Sequence, residues 1–518
     1  MPTETYNVNP EVVIVKNASE LAVSYVEEHS SSLPGVAVIA TPVRYYPYGA
    51  FGGQLIGYVS NIPANQASYY ASLNSPKYPT NALIGLGGIE QQYDSYLQGI
   101  PGTMKVEVNS ANVPIRNLGL SPPPTPGDNL ILNVDGHLQD VLQTALASQI
   151  KSLQGMGYYW VRTGVAVAMD PNTGAVLALG SYPFYNPQWF VGGISQANYN
   201  LTQTDGALND TAVAGLYPPG STEKPLTLMY ALHQGVITPN RTVWDPGYLY
   251  VGGTRLNEWV PSGFGTVTVP EAIAVSSDVF LHPTVLGLCH YPPTSGTLSQ
   301  WMTGERVKAF NGLANYAKQF GLTSPTGIDL PSEATGYFHD TGYLSDLAYM
   351  AIGQDQVYTP IGLAQYVSAI ANGGKRLKPE VVHEIVAPNG SVVKLFKPVV
   401  LNHIPVSPQD LAIIRDGMRW VTQDRGGIRG TAWSTFLGDP YQVSGKTGTA
   451  QTGITSRDVA SFIGFAPYVH PQIAVAVIIP GAGEGYLSSG PVARKIIDAY
   501  MNELTSKKYL PPTPIRAR

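Results

Sequence analysis

From residue 130 onward the apolar positions change period several times, and each change predicts an element. Leu130–Val134 is a short apolar run of strand type. Over Leu138–Leu153 apolar residues fall at Leu138, Val141, Leu142, Ala145, Leu146, Ile150 and Leu153, the spacing of one helix face. Thr163–Met169 and Ala175–Leu179 read as strands joined by the turn Asp170-Pro171-Asn172-Thr173-Gly174. Helix signals then dominate to about Ile370, before strands at Val443–Thr449, Val459–Ala466 and Ile473–Ile479 and a closing helix at Pro491–Leu504. Strands at both ends of a helical region predict one sheet assembled from distant sequence, hence an α+β domain flanked by helices.

The first 120 residues have another texture. Runs such as Val12–Val15, Val36–Ile39 and Met104–Val108 alternate over short distances and are broken by Gly and Pro, which predicts small β-rich or α+β modules. Ser121-Pro122-Pro123-Pro124-Thr125-Pro126-Gly127 is stiff and extended, of the kind that separates domains. The expected division is therefore 1–120, a linker over 121–129, and one large domain over 130–518. No repeat of 20–50 residues is evident.

Composition narrows the function. The 44% apolar content is that of a globular chain, and a net charge of −5 over 518 residues gives no basic footprint for nucleic acid. No run of 18 apolar residues suggests a membrane span, and no secretory leader pattern opens the chain. A single cysteine, Cys289, excludes an intrachain disulfide and a cysteine-rich metal site. Charged residues at 13% are about half the usual share, and with 32 tyrosines this suits a surface facing acid, where few carboxylates need protonating.

Three Ser-x-x-Lys patterns can place a hydroxyl and an amine together so that the amine takes the hydroxyl proton. Ser148–Lys151 falls late on a long amphipathic helix, as a solvated face would. Ser391–Lys394 follows the hairpin turn Asn389-Gly390, and three residues along a strand put the two side chains on opposite faces. The third, Ser221-Thr222-Glu223-Lys224, follows Tyr217-Pro218-Pro219-Gly220 and opens an apolar helix, where unpaired N–H groups can hold an oxyanion. Locally it could equally be a serine N-cap with a surface lysine. Two other segments shift that balance. Ser276 and Asp278 interrupt the otherwise apolar, helix-like Ala272–Phe280, and buried polar groups there need partners. Lys446-Thr447-Gly448 occurs once, in an alternating strand with Thr449, where Gly448 permits close approach of a substrate backbone.

This ordered trio is shared by penicillin-binding proteins and class A β-lactamases. The chain resembles the class B penicillin-binding proteins, and most of all their elongation-type branch, often called penicillin-binding protein 2. The likeness extends to Pro42-Val43-Arg44-Tyr45-Tyr46-Pro47, Leu55-Ile56-Gly57-Tyr58-Val59 and Gly85-Leu86-Gly87-Gly88-Ile89-Glu90-Gln91-Gln92-Tyr93 of the pedestal. In the large domain it includes Thr326-Gly327-Ile328-Asp329-Leu330-Pro331, Ile352-Gly353-Gln354 and Ile370-Ala371-Asn372-Gly373-Gly374. The resemblance implies a penicillin-binding, β-lactamase-like transpeptidase domain after a partial pedestal (dimerisation-like) domain. It implies a serine D,D-transpeptidase of peptidoglycan, inhibited by β-lactams, with hydrolysis of the acyl-enzyme giving D,D-carboxypeptidase side activity. Ser221 would be the acylated nucleophile and Lys224 its base. Ser276 and Asp278 would form the second motif, and Lys446, Thr447, Gly448 and Thr449 the strand that orients the terminal carboxylate. The backbone N–H groups of Ser221 and Thr449 would make the oxyanion hole. No cofactor is implied. Partners would be stem peptides, β-lactams and a membrane glycosyltransferase of the elongation machinery, at the extracytoplasmic face of the bacterial cell membrane.

Asp278 stands where many relatives have Asn, and an Asp beside Lys224 favours the charged amine and opposes its role as base. Some Gram-negative relatives carry zinc on Asp, Asp, His and Cys; the matching positions here are Asp245, Glu258, Phe264 and Ser277, a poor zinc site, so no metal is expected. The family usually begins with a cytoplasmic stub, a membrane helix and a further pedestal segment, and this chain opens at Met1-Pro2-Thr3, so any anchor is expected outside it. A β-lactamase would need a water-activating group for fast deacylation, and the pedestal argues against one. The rival from another class is a β-lactam sensor or a catalytically idle scaffold of the elongation machinery. Glu223 and the Leu281-His282-Pro283 stretch fit no role in the chemistry, and His282 and His290 are expected to be structural.

Overall fold

The computed structural model describes residues 13–506 apart from 34, 74–77, 80–81, 111–113, 252 and 455–456. The first alternating run loses Val12 to the undescribed residues, and its remainder, like Val36–Ile39, joins no ladder. Pedestal strands β1 (Tyr58–Asn61) and β2 (Leu83–Leu86) pair antiparallel, as do β3 (Met104–Val108) and β4 (Pro114–Leu120), with short helices between them.

The pedestal is held by buried polar contacts between the stretches that carry the family likeness. Arg44 Nη2 donates to Glu90 Oε2 at 2.9 Å, and the Tyr46 hydroxyl donates to Glu90 Oε1 at 3.2 Å. The Tyr93 hydroxyl reaches Asp329 Oδ2 in the large domain at 2.7 Å. Asp329 also accepts from the Val381 and Val382 N–H groups at 2.6 and 2.9 Å, so one carboxylate ties three distant segments together. The proline-rich 121–127 segment pairs back onto the pedestal through a bridge between Thr125 and Ile100.

Beyond it, β5 (Asn129–Leu132) is a strand as predicted and pairs with Val382–Val386. Helix α1 (Gly136–Gly155) is capped by the Asp135 carboxylate, which accepts from the Leu138 N–H at 2.9 Å. The hairpin β6 (Gly164–Met169) and β7 (Val176–Tyr182) forms around the predicted turn, where the Asp170 side chain accepts from Asn172 N–H. Helix α2 (Lys224–His233) follows a 3₁₀ turn over Gly220–Glu223. Two more helices, α3 (Val269–Ala274) and α4 (Asp278–Leu288), lie beside it, and α5 (Pro360–Ala371) is buried at every residue. A helix apolar on all sides belongs inside the protein.

The chain closes with β8 (Ser444–Ala450), β9 (Val459–Ala466), β10 (Ile473–Ile479) and helix α6 (Ser489–Thr505). These strands and the β6–β7 hairpin form one five-stranded sheet in the order β8-β9-β10-β6-β7, antiparallel throughout. The sheet predicted from opposite ends of the sequence is therefore present. Strands β6, β9 and β10 are buried at every residue, because α1 and α6 cover one face and α5 the other. Strand β8 is left at one edge, beside the turn that carries Ser221.

Candidate active site

Three segments converge at the β8 edge. The first is the 3₁₀ turn that ends at Lys224. Gly220 has φ +54°, and a Cβ there would lie 2.9 Å from the Thr449 carbonyl carbon, so only glycine lets the turn approach the strand. Its N–H donates to Gly353 O at 2.9 Å. Gly448 serves the same approach from the other side, since a Cβ there would meet Pro219 O at 2.5 Å. The missing side chain at Gly448 thus lets the serine-bearing turn seat on the strand. Ser221 is half-buried at the start of this turn, one step ahead of the α-helix rather than within its first turn.

The second segment is the break between α3 and α4. Ser276 is not helical; its φ is +60°, in the left-handed region that non-glycine residues rarely occupy. That strain, of order 1–3 kcal/mol, persists only where surroundings fix it. Here they do: Lys224 Nζ donates to Ser276 O at 2.5 Å and to Ser276 Oγ at 2.9 Å. Lys446 Nζ, from β8, reaches the same Oγ at 2.9 Å. Asp278 then opens α4 with its carboxylate 2.6 Å from Lys224 Nζ.

Both lysines are fully buried. Burial, and then the charge of Lys224, hold the Lys446 amine well below the ordinary lysine range, with Asp278 opposing. A serine hydroxyl has two acceptor sites and one proton. With two amines around it, Ser276 Oγ can pass that proton from one amine toward a third group in the cleft.

Carboxylates surround this centre. Glu258 Oε2 accepts from the N–H groups of Asp278 and Val279 at 2.7 and 3.0 Å, satisfying the first orphan donors of α4. Ser277 Oγ lies 2.8 Å from Asp245 Oδ2 and 3.1 Å from Glu258 Oε2, and it caps α4 through the Phe280 N–H. Burial and the Asp278 charge push the Glu258 carboxyl up. Three of the positions compared with the zinc set therefore meet, joined by a hydroxyl, while Phe264 packs on Trp259. Among the described residues no group of three or more His, Cys, Asp or Glu is placed to hold a metal ion.

On the open side of β8, Thr447 Oγ1 lies 2.7 Å from Thr431 Oγ1, and Thr449 Oγ1 donates to Glu484 Oε2 at 3.0 Å. Gln354 clamps the strand end, accepting from Gln451 N–H at 3.0 Å and donating to Thr449 O at 3.4 Å. Lys224, Ser276, Asp278 and Lys446 thus meet through their side chains, and the turn that carries Ser221 packs against Gly448 and Thr449. The other two Ser-x-x-Lys pairs are exposed, far along the sequence and on other elements. Thr431 and Glu484 had no sequence signal beyond lying in turns. Glu223 is buried with neither oxygen hydrogen-bonded. His282 is also buried, with its Nδ1 unpartnered and its proton affinity lowered to about 4 by burial. His290 is instead a surface residue, 3.5 Å from Glu305.

Residues 164–498 match the penicillin binding protein transpeptidase domain, and residues 3–132 match the penicillin-binding protein dimerisation domain. The peptidoglycan D,D-transpeptidase MrdA of Acinetobacter baumannii is 32% identical over 543 residues, covering 98% of this chain and 72% of that protein. The structure of Pseudomonas aeruginosa penicillin-binding protein 2 in complex with WCK 5153 aligns with TM-score 0.69 and 30% identity over 89% of this chain and 92% of its own. The complex between penicillin-binding protein 2 and MreC from Helicobacter pylori aligns with TM-score 0.69 and 26% identity, over 90% of this chain and 80% of the matched one. The chain belongs to the class B penicillin-binding proteins, in the penicillin-binding protein 2 branch.

Proposed function

We propose that this class B penicillin-binding protein cross-links peptidoglycan as a serine D,D-transpeptidase, with Ser221 as the nucleophile. The observation that carries the reading is the single hydroxyl of Ser276 held at 2.9 Å by both Lys224 and Lys446. In the first step Ser221 Oγ bonds to the carbonyl carbon of the penultimate D-Ala and its proton passes to Lys224. The backbone N–H groups of Ser221 and Thr449 hold the oxyanion. The proton then moves through Ser276 to the departing nitrogen, the C–N bond breaks, and D-Ala leaves. A stem-peptide amine attacks the ester, loses its proton to the same relay and returns Ser221 to its hydroxyl form. Water in place of the amine gives carboxypeptidase side activity.

Thr447 and Thr449 orient the terminal carboxylate, with Lys446 supplying proton-relay and electrostatic help. Asp278 keeps Lys224 ion-paired in the resting site, so productive binding must loosen that pair. The chain works at the extracytoplasmic face of the cell membrane, beside a membrane glycosyltransferase of the elongation machinery. The likeness to the penicillin-binding protein 2–MreC complex supports an elongation setting.

Labelling with a fluorescent penicillin, followed by intact-mass and peptide mapping, tests the reading. A stable adduct on Ser221 that vanishes in Ser221→Ala is expected, together with release of D-Ala from a D-Ala-D-Ala peptide. An adduct without D-Ala release points to a sensor. No adduct on the folded protein removes the catalytic reading and leaves a scaffold.

A further inference from the structure

Beside Thr449 the cleft carries a negative charge that the transpeptidase chemistry does not use. Glu484 lies in the turn Gly481-Ala482-Gly483-Glu484-Gly485 between β10 and α6, exposed, with Oε2 accepting the Thr449 hydroxyl proton at 3.0 Å. The turn is fixed. Gly483 N–H donates to Asp458 O at 3.1 Å, and the Ser488 hydroxyl donates to Ala482 O at 2.7 Å. Gly485 lies against β8 so closely that a Cβ there would sit 2.6 Å from Gly448 O. Among the described residues no lysine, arginine or histidine pairs with Glu484.

Thr449 has one proton to donate, and in this arrangement Glu484 holds it. A ligand that binds its carboxylate on this strand must take the same hydroxyl and bring a second negative charge next to the first. We propose that Glu484 is a specificity-determining residue that competes for the Thr449 hydroxyl and disfavours anionic ligands, β-lactams included; this rests on the reading of Thr449 as part of the carboxylate-binding strand. Two carboxylates meeting at one hydroxyl lie about 5 Å apart, and at a solvent-exposed site that repulsion slows binding by roughly three- to thirtyfold. Salt weakens it, because the pair faces water.

The test compares acylation of wild type and Glu484→Gln by benzylpenicillin and by its neutral methyl ester, in low and high salt. The exposed position lets glutamine replace glutamate with no change in packing, and a melting curve checks this. Glu484→Gln is expected to react about tenfold faster with benzylpenicillin in low salt. The gain should shrink in high salt and be absent with the ester. An equal or slower rate with benzylpenicillin overturns the proposal, as does an equal gain with the ester, which would show a steric or structural effect. Wild-type acylation at Ser221 with no response to the substitution refutes only this inference. If neither protein forms a Ser221 adduct, the transpeptidase reading falls and this inference falls with it.

Discussion

Replacing Glu223 by glutamine should make the protein more stable, although the residue lies inside the Ser-x-x-Lys motif. Glu223 is 1% exposed on the turn that carries Ser221, and neither of its oxygens has a hydrogen-bond partner. The Tyr358 hydroxyl and Gln356 amide lie beside it, near enough to moderate its acidity but outside hydrogen-bonding geometry. Burial pushes the carboxyl from its ordinary 4.5 up to about 8. In the folded protein it therefore keeps its proton at neutral pH, whereas the unfolded chain loses it. Between those values the unfolded state binds fewer protons, so stability falls as pH rises through the window and levels off above the folded value. At pH 7 the cost is about 3 kcal/mol, and it vanishes below the unfolded value. Glutamine keeps the shape and never ionises. Urea melts followed by tryptophan fluorescence at pH 5, 6, 7 and 8 read the difference. Glu223→Gln should gain about 1 kcal/mol near pH 5 and about 2–4 kcal/mol at pH 7 and above, with the slope against pH reduced. Parallel pH slopes for the two proteins, or a variant destabilised at every pH, would refute the reasoning.

Asp278→Asn removes the one negative charge that favours protonated Lys446 and that pairs with Lys224 at 2.6 Å. The fold, read by far-UV circular dichroism, should be unchanged, and acylation by fluorescent penicillin at neutral pH should quicken by roughly three- to tenfold; an unchanged rate would make Asp278 peripheral. Gly353→Ala puts a methyl group at a residue with φ +81° and 2.1 Å from Gly220 O, directly behind the serine-bearing turn. It should cost about 1–3 kcal/mol of stability and slow Ser221 acylation by roughly a hundredfold, measured by urea melts and labelling; wild-type labelling would show that the turn tolerates displacement.

The large domain was legible because its elements obey simple periods. Strands β6, β9 and β10 appear as apolar runs because both faces are covered, and α1 buries its predicted stripe except at Val141, which is half-buried. The candidate site could be picked out for a different reason: three short motifs in a fixed order are far more specific than the period of any helix. What the residues could not give was conformation forced by tertiary contact. Ala272–Phe280 has a helical composition, yet the chain breaks at Ser276 into the left-handed region, because two lysines from other elements hold its side chain and Lys224 also holds its carbonyl. Glu484 was illegible because its partner, Thr449, is 35 residues away and the contact depends on how one turn seats against a strand edge. The Asp245–Ser277–Glu258 cluster was anticipated as a set of positions but not as a helix cap, since a cap spanning 20 residues leaves no local pattern.

The composition suggested an exterior suited to acid, and the buried titratable groups bear on the same question from the interior. Surface carboxylates matter little to it, because they titrate alike in folded and unfolded chains. The tyrosines divide, with Tyr45, Tyr159 and Tyr250 exposed and Tyr93, Tyr358 and Tyr366 buried. The weight lies with buried acids that hold a proton in the folded state. Burial pushes Asp210 and Asp355 up to about 6, Glu223 to about 8, and Glu258 upward with help from Asp278. Each contributes stability that is fully present below its unfolded value and is lost as pH rises toward its folded one. His282 acts in the opposite direction: buried neutral, it supports folding above its ordinary 6.5 and withdraws that support as pH falls toward about 4. Glu90, Asp94, Glu380, Asp498 and Glu503 shift the same way, whereas the Lys446 amine, held low by burial, sides with His282 and favours folding as pH rises, so the acids do not alone set the balance. Among the acids the proton bound within the serine-bearing turn has the longest reach into alkaline pH, so the Glu223→Gln melts also weigh the interior account. If glutamine abolishes most of the fall in stability between pH 6 and 8, the preference for acid comes from Glu223 rather than from the sparse charge of the surface.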